Sequence, residues 1–132
     1  MTLSISTKKL GCQVENLVCD YLRRQKLKLI DRNYRCRLGE IDLIMQDKTL
    51  LIFIEVRYRQ HCSFGSSLES VNLNKQNKII KTAEYYLLSK RLSEKIACRF
   101  DVVGVKPATQ KLLNISKLDS AQVEWIKNAF SR

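Results

Sequence analysis

Two short strings in the chain carry a carboxylate where a β-strand would bury apolar side chains. Residues 39–44 form the string GEIDLI, which contains Asp42, and residues 52–57 form IFIEVR, which contains Glu55. A buried carboxylate costs several kcal/mol unless a cation or hydrogen bonds compensate its charge. Two of them close together therefore predict a metal site, and a metal site in a basic chain favours chemistry on phosphates.

The two strings are close enough in sequence to form a β-hairpin. Residues 47–50 separate the apolar runs and suit a short turn. Counting outward from that turn pairs Leu43 with Ile54 and Asp42 with Glu55. Because side chains alternate between the two faces of a strand, Asp42 and Glu55 would then point the same way.

Glu40 and Arg57 form the next pair along that face in this register. Like charges directly opposite each other destabilise a sheet, and a bound divalent cation removes that objection for Asp42 and Glu55. The alternative is a register slipped by one residue, which would put the two carboxylates on opposite faces.

The composition favours one compact domain spanning residues 1–132. Hydrophobic residues make up 45% of the chain, which is ordinary for a globular protein, and one proline and four glycines argue against disorder. No stretch approaches the roughly 20 apolar residues of a membrane helix, and residues 1–9 lack the apolar core of a signal peptide. We therefore expect a cytoplasmic protein.

The net charge of +11 is informative about partners rather than about fold. Nucleic acid and anionic membrane surfaces both attract such a chain. The basic residues are spread along the sequence instead of forming the concentrated tail that binds membranes by itself. Nucleic acid is therefore the expected partner, and a basic surface without a specific role is the simpler alternative.

Five cysteines give an odd count, and no two of them stand at CxxC spacing. This pattern predicts neither a disulfide framework nor a zinc site, so reduced thiols are the simpler interpretation. His61 and Cys62 are neighbours, and a catalytic Cys/His pair is the alternative there. Adjacent residues on a strand, however, point apart.

Hydrophobic periodicity and turn signals divide the chain into helices and strands. We predict a helix over residues 6–26, strands over 27–34, 38–45 and 50–58, a second helix over 73–90, a strand over 96–106, an edge strand over 112–115 and a short closing helix over 121–130. The main order, α-β-β-β-α-β, predicts an α/β fold with a mixed sheet flanked by helices.

Both predicted helices carry charged residues near the predicted site. Glu15 lies within or beside the apolar stripe of the first helix, and a glutamate at the rim of that stripe is an equally good interpretation. Lys75, Lys78 and Lys81 line one face of the second helix. Such a face is usually solvated surface, but it would also serve as a track for phosphates.

A divalent cation held by oxygen ligands suits the hydrolysis of phosphodiesters. Magnesium binds carboxylates, waters and phosphate oxygens, and a bound metal lowers the pKa of its water. Asp42 and Glu55 are residue types that hold such an ion. Arg57 could stabilise the charge that develops on the phosphate, with Glu15 helping from the first helix.

These residues resemble the PD-(D/E)xK nuclease superfamily, in which an acid on one strand and E-x-K on the next flank a metal. More closely, the chain resembles the YraN-like family of bacterial proteins. The matching segments follow one another along the chain as GCQVE (11–15), RNYR (32–35), GEIDLI (39–44), FIEVRYR (53–59), FG (64–65), KQ (75–76), RFDVV (99–103) and NAF (128–130).

The resemblance implies a restriction-endonuclease-like core and an endonuclease that acts on DNA. Similarity to Holliday-junction resolvases makes branched DNA a candidate substrate, and cleavage of a junction at two sites would need a homodimer. The resemblance also implies Mg²⁺ or Mn²⁺ bound by Asp42, Glu55 and the Val56 carbonyl, with Glu15 assisting. We expect DNA contacts from the basic residues that follow the site, which are Arg59, Lys75, Lys78 and Lys81.

Arg57 departs from the family pattern, which has lysine two residues after the glutamate. Arginine keeps its charge and cannot act as a general base, although it can stabilise a phosphate. Lys75 could supply an amine instead if it reaches the site.

Three hypotheses are open at this point. The first is a metal-dependent endonuclease, which the retention of Glu15, Asp42 and Glu55 favours. The second is a nucleic-acid-binding protein with a nuclease fold and impaired catalysis, which Arg57 favours. The third is a basic interaction module without a nucleic acid partner, which requires each strand carboxylate merely to pair with a nearby arginine.

Overall fold

The computed structural model describes residues 7–58, 66–92, 96–106 and 115–132. Within those ranges the helices are α1 (Thr7–Arg24) and α2 (Leu73–Ser89), and the strands are β1 (Lys28–Cys36), β2 (Gly39–Asp47), β3 (Leu50–Tyr58), β4 (Cys98–Val105) and β5 (Val123–Phe130). Short 3-10 turns at Ser67–Ser70 and Ser120–Gln122 precede α2 and β5.

The strands form one mixed sheet in the order β1-β2-β3-β4-β5. β3 and β4 are parallel, with α2 in the connection between them, and the other neighbouring strands are antiparallel. This is an α/β fold consistent with a restriction-endonuclease-like core. Neither α1 nor α2, the α-helices in the described part of the chain, has the length and apolarity that crossing a bilayer requires.

The two helices bury apolar side chains on different faces of the sheet. Val18 and Leu22 of α1 pack in one cluster with Leu43 and Ile54 of the sheet, and all four are fully buried. Burial of each such side chain contributes about 1.5–3 kcal/mol. A second cluster joins α2 to the opposite face, where Phe53 is its largest fully buried side chain.

The alternation of side chains along β2 changes at Asp42. Leu43 packs in the cluster of α1, whereas Ile41 and Ile44 pack in the cluster of α2. In a regular strand Ile41 and Leu43 would share a face. The irregularity therefore falls on the residue that the sequence predicts to carry the chemistry.

Most of the predicted elements are confirmed, and the hairpin register is among them. Leu43 pairs with Ile54 in the antiparallel β2·β3 ladder. The predicted closing helix over residues 121–130 is wrong, because residues 123–130 form strand β5. The predicted edge strand over 112–115 stays a prediction, since residues 112–114 lie outside the described residues.

The strand β5 is anchored by Asp101, which is completely buried in β4. Its carboxylate accepts hydrogen bonds from the Trp125 indole at 2.8 Å and from the Asn128 amide at 2.9 Å. The Arg99 side chain donates to both carboxylate oxygens, at 2.9 and 3.1 Å. The β4·β5 register shifts beside this residue, so Asp101 supplies acceptors where the ladder is irregular.

Candidate metal and phosphate site

The site lies where β2 separates from β3. Regular pairing of the two strands ends at Leu43 and Ile54, and Asp42 and Glu55 are the next residues outward. The Val56 amide donates a hydrogen bond to Asp42 Oδ2 at 2.8 Å. The Asp42 side chain thus takes a backbone donor of β3 at the point where the ladder between the strands ends.

The carboxyl groups of Asp42 and Glu55 are near enough to shift each other's pKa. Glu55 is only 4% exposed, and this burial, followed by the charge of Asp42, raises its pKa to about 7. Burial also raises the pKa of Asp42, although the Val56 amide opposes that shift. The pair therefore favours binding either a proton or another positive charge near neutral pH.

Two cations approach the same oxygen of this pair. Lys75 Nζ lies 3.4 Å from Glu55 Oε2, and Arg57 Nε lies 3.7 Å from it. Lys75 is held in the first turn of α2, where the Asn72 side chain caps the helix by accepting the Lys75 amide at 2.9 Å. Lys75 therefore reaches the site, because its amine contacts Glu55.

Arg57 is turned partly away from the carboxylates. Its Nη2 donates to the Ser70 carbonyl at 2.8 Å, and its Nε is buried without a hydrogen-bond partner among the described residues. The 3-10 turn that carries Ser70 lies close to the sheet because β4 has a glycine there. A Cβ on Gly104 would stand 1.7 Å from Ser67 Oγ.

Glu15 of α1 lies within electrostatic range of Asp42. It is half-buried, and burial, followed by the charge of Asp42, raises the pKa of its carboxyl. A hydrogen bond with Asn33 and the charge of Arg32 act in the opposite direction. Glu15 is therefore close enough to sense the site electrostatically, which the interpretation as a rim glutamate alone would not require.

Glu40 does not form the predicted pair with Arg57. The β2·β3 ladder has already ended at that level, and Glu40 instead pairs with Arg35 of β1 at 3.0 Å. Both side chains are largely exposed, so this ion pair contributes little to stability. It lies at the rim of the site.

The arrangement fits a hard divalent cation better than a zinc-type site. Among the described residues, no group of three or more His, Cys, Asp or Glu side chains is placed to hold a metal ion. Magnesium needs only one or two carboxylates, because waters and substrate phosphate complete its shell. Asp42 and Glu55 meet that requirement, and the Val56 carbonyl stays a prediction as a third ligand.

Of the four basic residues predicted to contact phosphates, Lys75, Lys78 and Lys81 lie in the described part of the chain. Lys78 and Lys81 are exposed on α2, one and two turns after Lys75. Arg59 lies outside the described residues, as do His61 and Cys62.

Two roles could not be found from sequence patterns. The contact between Lys75 and Glu55 depends on how α2 lies over the sheet, although the Asn72 cap three residues earlier does mark the start of that helix. Asp101 stands in a strand much as Asp42 does, and only its hydrogen-bond partners show that it is structural.

Comparison with known proteins gives a consistent match over most of the chain. The model of Uncharacterised protein family UPF0102 matches residues 14–105. A UPF0102 protein of Coxiella burnetii (strain RSA 331 / Henzerling II) is 44% identical over 123 residues, covering 93% of this chain and 92% of the relative. A UPF0102 protein of Nitrosococcus oceani is 42% identical over 120 residues, covering 91% and 90%. One from Legionella pneumophila (strain Corby) is 40% identical over 124 residues, covering 94% and 96%.

Proposed function

The chain belongs to Uncharacterised protein family UPF0102, and we propose from its site that it is a metal-dependent endonuclease-like protein that hydrolyses phosphodiester bonds in DNA. One observation carries this proposal. The buried Glu55 and the neighbouring Asp42 meet where two strands separate, with Lys75 3.4 Å from Glu55. A pair of carboxylates with raised pKa values beside cations is suited to binding a metal ion and a phosphate together.

The residues divide into two groups in this proposal. Asp42 and Glu55, with the Val56 carbonyl, would hold Mg²⁺ or Mn²⁺, and Glu15 would support them from α1. The bound metal would supply an activated water and neutralise charge on the phosphate. Arg57 screens Glu55, and the basic residues Arg59, Lys75, Lys78 and Lys81 bind the DNA backbone.

Membership of the PD-(D/E)xK superfamily is part of the same proposal. It rests on the acid of β2, the E-x-R string of β3 and the glutamate of α1, all of which lie near one another. Branched DNA is the candidate substrate by resemblance to junction resolvases, and it would require a homodimer. A protein that acts on DNA would work in the cytoplasm, and this location is part of the proposal.

One observation favours a second function, a DNA-binding protein whose catalysis is impaired. Position 57 carries arginine where the resemblance leads us to expect lysine, and its Nη2 is engaged with the Ser70 carbonyl. A guanidinium in that place cannot accept a proton from water. The alternative therefore predicts DNA binding and metal binding without efficient cleavage.

Calorimetric titration with magnesium tests the site. Asp42→Asn should weaken magnesium binding at least tenfold, because it removes one of the two charged ligands while the amide oxygen can still accept from Val56. Asp20→Asn is the matched control, since Asp20 is exposed on α1. Unchanged magnesium binding in Asp42→Asn would refute the proposed site.

Cleavage of end-labelled branched and single-stranded DNA separates the two functions. Magnesium-dependent cleavage that Asp42→Asn abolishes would support the endonuclease. DNA binding without cleavage, in a protein that still binds magnesium, would favour the impaired alternative.

A further inference from the structure

The site contains two cations that differ in how free they are to act. Lys75 Nζ is 3.4 Å from Glu55 Oε2 and its side chain is 40% exposed, whereas Arg57 Nε is 3.7 Å away and its side chain is 29% exposed. Both therefore screen the same carboxylate. Lys75 presents more of its side chain to solvent, from which a substrate would arrive.

Part of the Arg57 guanidinium is engaged with the protein itself. Its Nη2 donates to the Ser70 carbonyl at 2.8 Å, and its Nε is buried beside Glu55. The guanidinium therefore links β3 to the 3-10 turn Ser67–Ser70 through Nη2, and this contact restricts how far the side chain can move toward a phosphate. This makes Arg57 a positioning residue for Glu55 and the turn.

Lys75 is placed by the backbone rather than by side-chain contacts alone. Asn72 caps α2 and accepts the Lys75 amide, which fixes the residue in the first helical turn. That turn contains no acidic residue, although negative charge is favoured at a helix N-terminus. The contact with Glu55 compensates for placing a lysine at this end, so the cap fixes the backbone of Lys75 and Glu55 holds its amine at the site.

We propose that Lys75 performs, from α2, the task of the strand lysine that is absent at position 57. This inference rests on the endonuclease function proposed above. As the water oxygen bonds to phosphorus and the bond from phosphorus to the leaving oxygen breaks, Lys75 keeps its proton and donates a hydrogen bond to a non-bridging oxygen. One proton of the water passes to solvent, and the leaving oxygen takes a proton from solvent.

Lys75→Met should change the cleavage rate and the affinity for magnesium in opposite directions. It should lower the single-turnover cleavage rate at saturating DNA and magnesium by roughly 100-fold, the usual loss when one donor to a developing oxyanion is removed. In the absence of DNA it should tighten magnesium binding, because Glu55 loses a competing cation. Damage to the fold would weaken both cleavage and magnesium binding. The two measurements together therefore distinguish a hydrogen-bond donor to the phosphate from a residue that only supports the fold.

Lys28→Met is the control with the same loss of charge. Lys28 is exposed and pairs with Gln46, well along β2 from Asp42. Its cleavage rate should stay within threefold of the wild type. Lys75→Cys treated with bromoethylamine, which restores an amine on a side chain of similar length, should recover at least a tenth of the wild-type rate. Wild-type protein treated in parallel controls for the other cysteines.

The outcomes distinguish this inference from the function on which it rests. Equal cleavage rates in the wild type and Lys75→Met, with magnesium bound through Asp42, would overturn the proposed role of Lys75 and leave the endonuclease function standing. Weaker magnesium binding in Lys75→Met would also overturn it. A wild type that binds magnesium but cleaves no DNA would overturn both proposals.

Discussion

The stability of the metal-free protein should fall as pH rises through the range in which Glu55 loses its proton. Burial, followed by the charge of Asp42, raises the pKa of this carboxyl from its ordinary 4.5 to about 7. The folded state therefore binds the proton more tightly than the unfolded state does. Its contribution to stability is fully present below about pH 4.5 and is lost by about pH 7.

The shift from 4.5 to about 7 corresponds to about 3 kcal/mol of unfolding free energy. The raised pKa of Asp42 acts in the same direction. Glu55→Gln is the informative comparison, because glutamine is neutral at every pH and similar in size. The difference in unfolding free energy between wild type and Glu55→Gln should therefore change by about 3 kcal/mol, in favour of the variant, as pH rises across this range.

Urea denaturation in buffer with a chelator, repeated between pH 4.5 and 8, measures this difference. Magnesium at 100 times its dissociation constant should restore about 2.7 kcal/mol to the wild type at pH 8, and much less to Glu55→Gln. Parallel stability curves for the two proteins would refute the reasoning, because they would mean that Glu55 titrates alike in the folded and unfolded states.

Two further predictions concern the anchor of β5 and the basic helix face. Asp101→Asn should destabilise the protein by about 3–5 kcal/mol in urea denaturation, because it leaves Arg99 without its buried charged partner. Magnesium binding should not change in this variant. Weaker magnesium binding without a loss of stability would contradict the structural role of Asp101. The logarithm of the DNA-binding constant should fall linearly with the logarithm of the salt concentration. Replacing Lys75, Lys78 and Lys81 by alanine should make that slope shallower by roughly 0.9 for each of the three lost phosphate contacts. A slope that does not change, or no binding at low salt, would favour a basic module without a nucleic acid partner.

The hairpin could be predicted from sequence because its determinants are local. The turn length and the alternation of apolar residues fix the register, so the pairing of Leu43 with Ile54 followed directly. The ladder ends at this pair, before the predicted pairs of Asp42 with Glu55 and of Glu40 with Arg57. The Asp42 side chain accepts the Val56 amide and so takes a backbone donor of β3, while Glu40 forms an ion pair with the Arg35 side chain.

The error at β5 has a non-local cause. Val123, Ile126 and Phe130 recur at helical spacing, which favoured a helix. β4 needs a neighbour on its second edge, and pairing of Val105 with Val123 and Phe100 with Phe130 provides it. Partners that are distant in sequence decided the conformation, and a periodicity argument contains no information about them.

Asp42, Glu55 and Asp101 show why residue type alone does not identify a site. Asp101 is more deeply buried than Glu55, but a guanidinium, an indole and a backbone amide already donate to it. Its charge is compensated inside the protein, so it has no need of an ion. Asp42 and Glu55 instead face each other, and their raised pKa values persist despite Lys75 and the Val56 amide. We therefore propose this pair, and not Asp101, as the place for a cation, because its buried charge is less fully compensated by the protein.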